Sequence, residues 1–194
     1  PLAICQNRLE MLMEDETLSE QQMGEIAKTC QTLEYVSKLN KSLLLLSKID
    51  NSQFTSVENV CLNEILYRYL DDYQEVYDYK GITLDVHEKN TFNITMNGTL
   101  AVVLITNLLK NAFVHNIYKG KIQIEITSSN IRFGNTGKDE HLDEKHIFER
   151  FYQGSKKEGS TGLGLAIVDA ICRQSQLSIQ YQFVKGWHWF DISC

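Results

Sequence analysis

Apolar residues at the start of the chain fall at Leu2, Cys5, Leu9 and Leu12, in steps of three, four and three. One face of a helix repeats that way, so the spacing predicts a helix over residues 2–14. The polar stretch "EDETLSE" breaks the pattern. Ser19 is placed to cap a second helix, with acidic Glu20 in its first turn. That helix is expected from about Glu20 to about Asp50. Its apolar positions Ile26, Leu33, Val36, Leu43 and Leu46 follow steps of seven, three, seven and three, the spacing of a bundle seam. A hairpin of two such helices cannot cover its own stripe. Pairing two hairpins into a four-helix bundle would cover it. Packing the stripe on a C-terminal domain of the same chain is the other solution. Dimerisation is the favoured expectation.

At "IDNSQF" the pattern changes, and Asn51 and Ser52 mark a boundary. Phe54–Val60 reads as a short strand, and residues 61–79 as a helix ending at Gly81. "ITLDV" and "TFNITM" read as strands, and Gly98 to about Asn116 as the most apolar helix of the chain. "KIQIEIT" alternates strictly, as a half-buried strand does, and "IRFGN" follows as its neighbour. Residues 136–160 are polar, charged and glycine-bearing, the character of a functional lid. A helix from Thr161 to about Ser175 follows. "LSIQYQF" and "HWFDI" then form a hairpin around Lys185–Gly186. The strands come singly and in hairpins between helices, so the fold class is α+β with a mixed or antiparallel sheet layered on helices. The division read from this pattern is a helical hairpin over residues 1–51 and a mixed domain over residues 52–194.

Composition narrows the function classes. Net charge is −6, with no basic run, so nucleic acid is not an expected partner. The longest apolar run, Leu43–Leu46, is far short of the ~20 residues that span a bilayer. The chain opens on Pro1 rather than Met, so an upstream segment is expected. The five cysteines, Cys5, Cys30, Cys61, Cys172 and Cys194, form no C-x-x-C pair and read as free buried thiols.

Two features carry chemistry. The first is "GSTGLGLAIV", residues 159–168, where glycines crowd against a helix start. Each costs conformational entropy there. Glycines let backbone N–H groups close on an anion, and a helix N-terminus adds partial positive charge. A plain loop with a helix cap is the competing reading. The second is the row Asn107, Asn111 and His115, spaced i, i+4, i+8 among apolar Val103, Leu104, Leu108 and Ala112. Asparagine is a mediocre helix former, and buried amides need partners. The stripe either faces solvent or turns an amide row to a polar ligand, with an Asn oxygen on a phosphate-bound Mg²⁺.

The order of motifs decides between these readings. "NLLKNA" lies on a helix, "NTG" follows a strand, "IFERFYQ" sits in the lid stretch, and "GSTGLGLAIV" opens a helix. This order resembles the catalytic, ATP-binding domain of bacterial sensor histidine kinases, of the Bergerat (GHKL) fold: an N box, a glycine box, an F box and a second glycine box. "LNKSLLLLSKID" is similar to the end of the second helix of that family's dimerisation and phosphotransfer hairpin, and "PLA" to the tail of its H-E-x-x-[TN]-P-L motif. The resemblance covers essentially the whole chain. It implies that Asn111 ligates the Mg²⁺ bridging the ATP phosphates, with Asn107 beside it and His115 near the nucleotide. It implies that Asn135 accepts from the adenine amino group and that Gly137 lets the chain pass the base. Phe148 and Phe151 would anchor the lid, and Arg150 would reach the phosphates. Thr161, Gly162, Leu163, Gly164 and Leu165 would form the phosphate loop, with the leucines packing below.

Three departures from the family pattern stand out. The acceptor histidine, which the family places five residues before the proline matching Pro1, falls upstream of this chain. None of the five histidines here lies in its context: His87 and His188 read as surface or strand residues, and His141 and His146 as lid residues. Asn135 replaces the usual Asp. It keeps a carbonyl acceptor but loses the charge that makes such bonds about twice as strong. Val114 stands where many members have Lys, leaving Lys110, Lys156 or Lys157 to supply that charge. The resemblance implies transfer of the ATP γ-phosphoryl group to the upstream histidine and relay to an aspartate of a response regulator. It implies a homodimer and the cytoplasmic portion of a plasma-membrane sensor. A degenerate docking module that binds no nucleotide is the alternative. A different Bergerat ATPase is disfavoured by the heptad hairpin and "FERFYQ".

Overall fold

A computed structural model describes residues 1–15, 17–138, 141–154 and 160–194. Lys156, Lys157 and the first glycine of "GSTGLGLAIV" lie outside the described residues. Helix α1 (Leu2–Met13) packs on helix α2 (Glu20–Asp50), as the spacing predicts. Ser19 starts α2 with a capping box: its hydroxyl accepts from the Gln22 N–H, and the Gln22 side chain accepts from the Ser19 N–H at 2.9 Å. The heptad seam of α2 divides in two. Ile26 and Leu33 are half-buried and Val36 is exposed, whereas Leu46 and Ile49 are fully buried where α2 packs on helix α5 (Gly164–Gln174). The last turns of α2 thus follow the second packing solution, against the chain's own C-terminal part.

Strand β1 (Glu58–Cys61) is shorter than the expected Phe54–Val60. The carbonyls before it are taken by side-chain amides, Gln174 Nε2 on Phe54 at 3.3 Å and Asn97 Nδ2 on Ser56 at 2.9 Å, and not by a strand. Helix α3 (Leu62–Val76) follows, then a 3-10 turn, Asp78–Lys80, closed by Gly81 at φ +59°. Strand β2 (Thr83–Glu88) precedes β3 (Asn93–Met96), which pairs antiparallel with β1. Helix α4 (Gly98–Val114) leads to β4 (Lys121–Ile126) and β5 (Asn130–Thr136). Strands β6 (Ser178–Val184) and β7 (Trp187–Ser193) close the chain around Lys185 and Gly186, both at positive φ as a tight primed hairpin turn requires.

Five strands form one mixed sheet in the order β2-β4-β5-β7-β6, with β2 parallel to β4 and the other pairs antiparallel. Its inner face carries Ile122, Ile124, Ile131, Phe133, Phe190 and Ile192, all buried in one core with α3, α4 and α5. The α+β sandwich is the class expected. Of the cysteines only Cys172 is buried; burial pushes its thiol up to about 12, so it stays protonated. Cys5 and Cys194 are exposed, and Cys30 and Cys61 half-buried, contrary to the expectation of buried thiols throughout. No helix among the described residues is long and apolar enough to cross a membrane.

Candidate functional site

Helix α4 begins where Asn97 accepts from the Leu100 N–H at 3.1 Å. Leu100, Ala101, Leu104, Ile105, Leu108 and Leu109 turn into the core. That orientation leaves Val103, Asn107 and Asn111 on a half-exposed stripe, with Lys110 in solvent beside them. Asn107 Nδ2 donates to the Val103 carbonyl at 2.8 Å, which fixes the amide and leaves its oxygen facing outward from that bond. The Asn111 side chain makes no hydrogen bond among the described residues. The two readings of the stripe therefore meet: one amide is satisfied by backbone, and the other is available.

The start of α5 lies against this stripe. A Cβ on Gly164 would sit 3.2 Å from Asn107 Oδ1. Leu163, fully buried, is the N-cap residue, no side chain caps the helix, and no acidic residue occupies its first turn. The first helical bond runs from the Ile167 N–H to the Leu163 carbonyl, so the N–H groups of residues 164–166 carry no helical partner. The expected helix from Thr161 starts late because Gly162 holds φ +67°. Its carbonyl accepts from the Phe151 N–H at 2.9 Å, and a Cβ there would lie 2.8 Å from the Phe151 carbonyl carbon. Thr161 is half-buried beside it, and Leu165 packs partly on the core.

The other side of the site is the end of β5. Asn135 is 2% exposed, and its Nδ2 donates to the Thr136 carbonyl at 3.0 Å, so the side-chain oxygen is the end left to accept. A Cβ on Gly137 would fall 2.6 Å from His188 Cδ2 and 3.6 Å from the His115 carbonyl, which places the glycine between these two residues. His188 is buried, not a surface histidine. Its Nε2 lies 3.0 Å from the Lys138 carbonyl, a pure acceptor, so Nε2 carries the proton and Nδ1 accepts from the Tyr181 hydroxyl at 2.8 Å. Desolvation raises the Tyr181 pKa and keeps that hydroxyl a donor. Asn116 ties α4 to the sheet: its oxygen accepts from Thr136 Oγ1 at 2.7 Å, and its Nδ2 donates to the Lys121 carbonyl at 3.0 Å. Periodicity gave no sign of Asn116, Tyr181 or Lys138, because the contacts that tie them into the site, Asn116 to Lys121 and Thr136 and His188 to Tyr181 and Lys138, span five residues or more.

The lid anchors differ from expectation in one residue. Phe148 is half-buried against the core, but the fully buried anchor is Ile147, and Phe151 is 57% exposed. Phe151 adopts φ +67°, which turns its N–H toward Gly162 and its ring outward. Arg150, expected to reach phosphates, instead pairs with Asp50 at the end of α2, 2.5 Å away. Gln153 Nε2 donates to the Ser160 carbonyl at 2.7 Å, within the C-terminal part of the lid stretch. His146 and Asp143 are paired at 2.6 Å; the hydrogen bond raises the histidine pKa and lowers that of the aspartate.

With this geometry in place, comparison with known proteins is direct. Residues 96–188 match the family described as Histidine kinase-, DNA gyrase B-, and HSP90-like ATPase. The heme sensor protein HssS of Staphylococcus epidermidis is 36% identical over 141 residues, which is 70% of this chain and 31% of that protein. The two matches support a sensor histidine kinase core for this chain. HssS of Staphylococcus aureus is 31% identical to it over 173 residues, 86% of this chain and 37% of the relative. The chain therefore spans about a third of the length of these curated relatives. The Acinetobacter baumannii histidine kinase AdeS shares its fold, with TM-score 0.68 and 21% identity over 99% of this chain and 93% of that one.

Proposed function

We propose that this core binds Mg²⁺–ATP between α4, α5 and the end of β5, and passes the γ-phosphoryl group to a histidine outside this chain. One observation carries the reading: the uncapped N-terminus of α5 opens beside the Asn107–Asn111 stripe. Free N–H groups and a helix dipole suit phosphate oxygens. The available Asn111 amide suits a magnesium ion that keeps most of its ligands from phosphates and water. Among the described residues no cluster of three His, Cys, Asp or Glu side chains could hold a metal, so the ion would rest on Asn111 and the nucleotide. The adenine amino group would donate to Asn135, with Gly137 giving the base room. Phosphoryl transfer of this kind leans on positioning and charge neutralisation more than on covalent chemistry.

Residues 1–51 act as the dimerisation hairpin and residues 52–194 as the catalytic domain in this reading. The hairpin leaves Ile4, Met11, Leu12, Met23 and Val36 exposed, apolar surface that a second hairpin would bury. A receiver-domain aspartate is the expected next acceptor, and the core would work on the cytoplasmic side of a membrane-anchored sensor. The docking-module alternative has no observation of its own in the geometry.

Calorimetric titration of the chain with ATP and Mg²⁺ tests the proposal. Micromolar binding is expected, weakened about tenfold or more by Asn111→Ala and by chelating the metal. A folded chain that takes up no nucleotide would move the assignment to the docking module.

A further inference from the structure

Lys80 is a buried cation, 8% exposed, at the end of the 3-10 turn that follows α3. Its Nζ donates to the carbonyls of Phe113 at 2.8 Å and Val114 at 3.0 Å, and lies 3.5 Å from that of Asn116. A helix leaves its last four carbonyls without internal partners. Helix α4 has no left-handed glycine to close its end, since the C-cap is His115 at φ −87°. A lysine from another element takes that role, with its charge on the negative end of the helix dipole. Burying an ammonium group is costly unless its partners are well placed, so the contact needs a firm mount. The mount is visible. The Lys80 carbonyl accepts from the Lys119 N–H at 2.7 Å, and Nζ lies 5.4 Å from the Tyr77 ring, which stacks on Phe113.

We propose that Lys80 is a positioning residue of the nucleotide site. It fixes the last turn of α4 and, through it, the orientation of Asn111 and the His115–Gly137 wall. The link is short, because the Asn111 carbonyl accepts from the His115 N–H at 3.1 Å. The inference rests on the nucleotide reading above.

The test compares Lys80→Met, Lys80→Arg and Ile192→Ala in the 194-residue chain. Ile192 is fully buried at the end of β7 remote from Asn135, so it reports general destabilisation. Lys80→Met should weaken ATP binding about tenfold, since small misplacements of a positioning group are amplified in this way. Lys80→Arg, which keeps charge and donors, should recover most of the loss, and Ile192→Ala should leave affinity within about twofold. In the nucleotide-free chain, the NMR signals of the Asn111 side-chain amide should move in Lys80→Met and return in Lys80→Arg. Unchanged signals, or equal losses in Lys80→Met and Ile192→Ala, would overturn the assignment. If the unaltered chain bound no ATP, the nucleotide reading would fail, and the Asn111 signals alone would decide whether Lys80 positions that residue.

Discussion

At the scale of single residues, the site is shaped by where a side chain is missing. Gly137 leaves room for the His188 ring, which Tyr181 and the Lys138 carbonyl hold from both sides. The ring cannot yield without breaking one of those bonds. Gly137→Ala should therefore destabilise the chain by about 1–3 kcal/mol, the usual penalty for overpacking, read as a lower urea midpoint. Gly24 is the contrast: it lies inside α2, exposed, with nothing within 4 Å of an added Cβ. Gly24→Ala should raise stability by roughly 0.5–1 kcal/mol in the same assay through helix propensity alone. Asn135 shows how an amide would suit the proposed adenine position. Its NH₂ group is committed to the Thr136 carbonyl, which orients the oxygen as an acceptor and stops the amide from flipping. A carboxylate there would face that carbonyl.

At the scale of elements, α2 shows one sequence pattern meeting two environments. Its heptads run evenly from Ile26 to Leu46, yet burial rises only over the final turns. In dilute, monomeric chain, Leu46→Ala should cost about 2–5 kcal/mol, as for other fully buried leucines, and half-exposed Leu33→Ala well under half of that. Equal costs in urea unfolding would mean that the seam is buried uniformly. The elements themselves were legible because their signals are local: a capping Ser19, strict alternation in "KIQIEIT", glycines crowded before α5. The four-motif order likewise located Asn107, Asn111, Asn135 and Gly164 on adjoining elements. What the sequence did not disclose depends on distant partners. Lys80 reaches a helix end more than thirty residues away, with sequence separations of 33 to 36. Arg150 meets a carboxylate 100 residues back. The outward turn of Phe151 follows from a backbone bond to Gly162 across the lid. Periodicity reads a residue's own element, and none of these contacts lies within one.

At the scale of the whole molecule, the helical hairpin and the sheet-bearing part meet at a seat that is only partly filled. Leu46 and Ile49 are buried there, but a groove of about 530 Å³ remains between α2, the lid segment and α5, lined by Leu46, Phe148, Ala166, Asp169 and Ala170. Asp50–Arg150 closes one edge of the groove, with both side chains about half exposed. Exposed pairs contribute only about 0–1 kcal/mol, so this one can bias the seat without locking it. The pairing also bears on catalysis. An arginine on the phosphates would lose tenfold or more in ATP affinity when truncated, whereas one engaged with Asp50 should not. Arg150→Ala is therefore expected to change ATP affinity less than about fivefold, the equivalent of one such exposed pair. A double-mutant cycle with Asp50→Asn should show coupling in stability that fades at high salt. A large loss of affinity in Arg150→Ala, with no coupling to Asp50, would mean that the arginine leaves α2 and turns to the nucleotide.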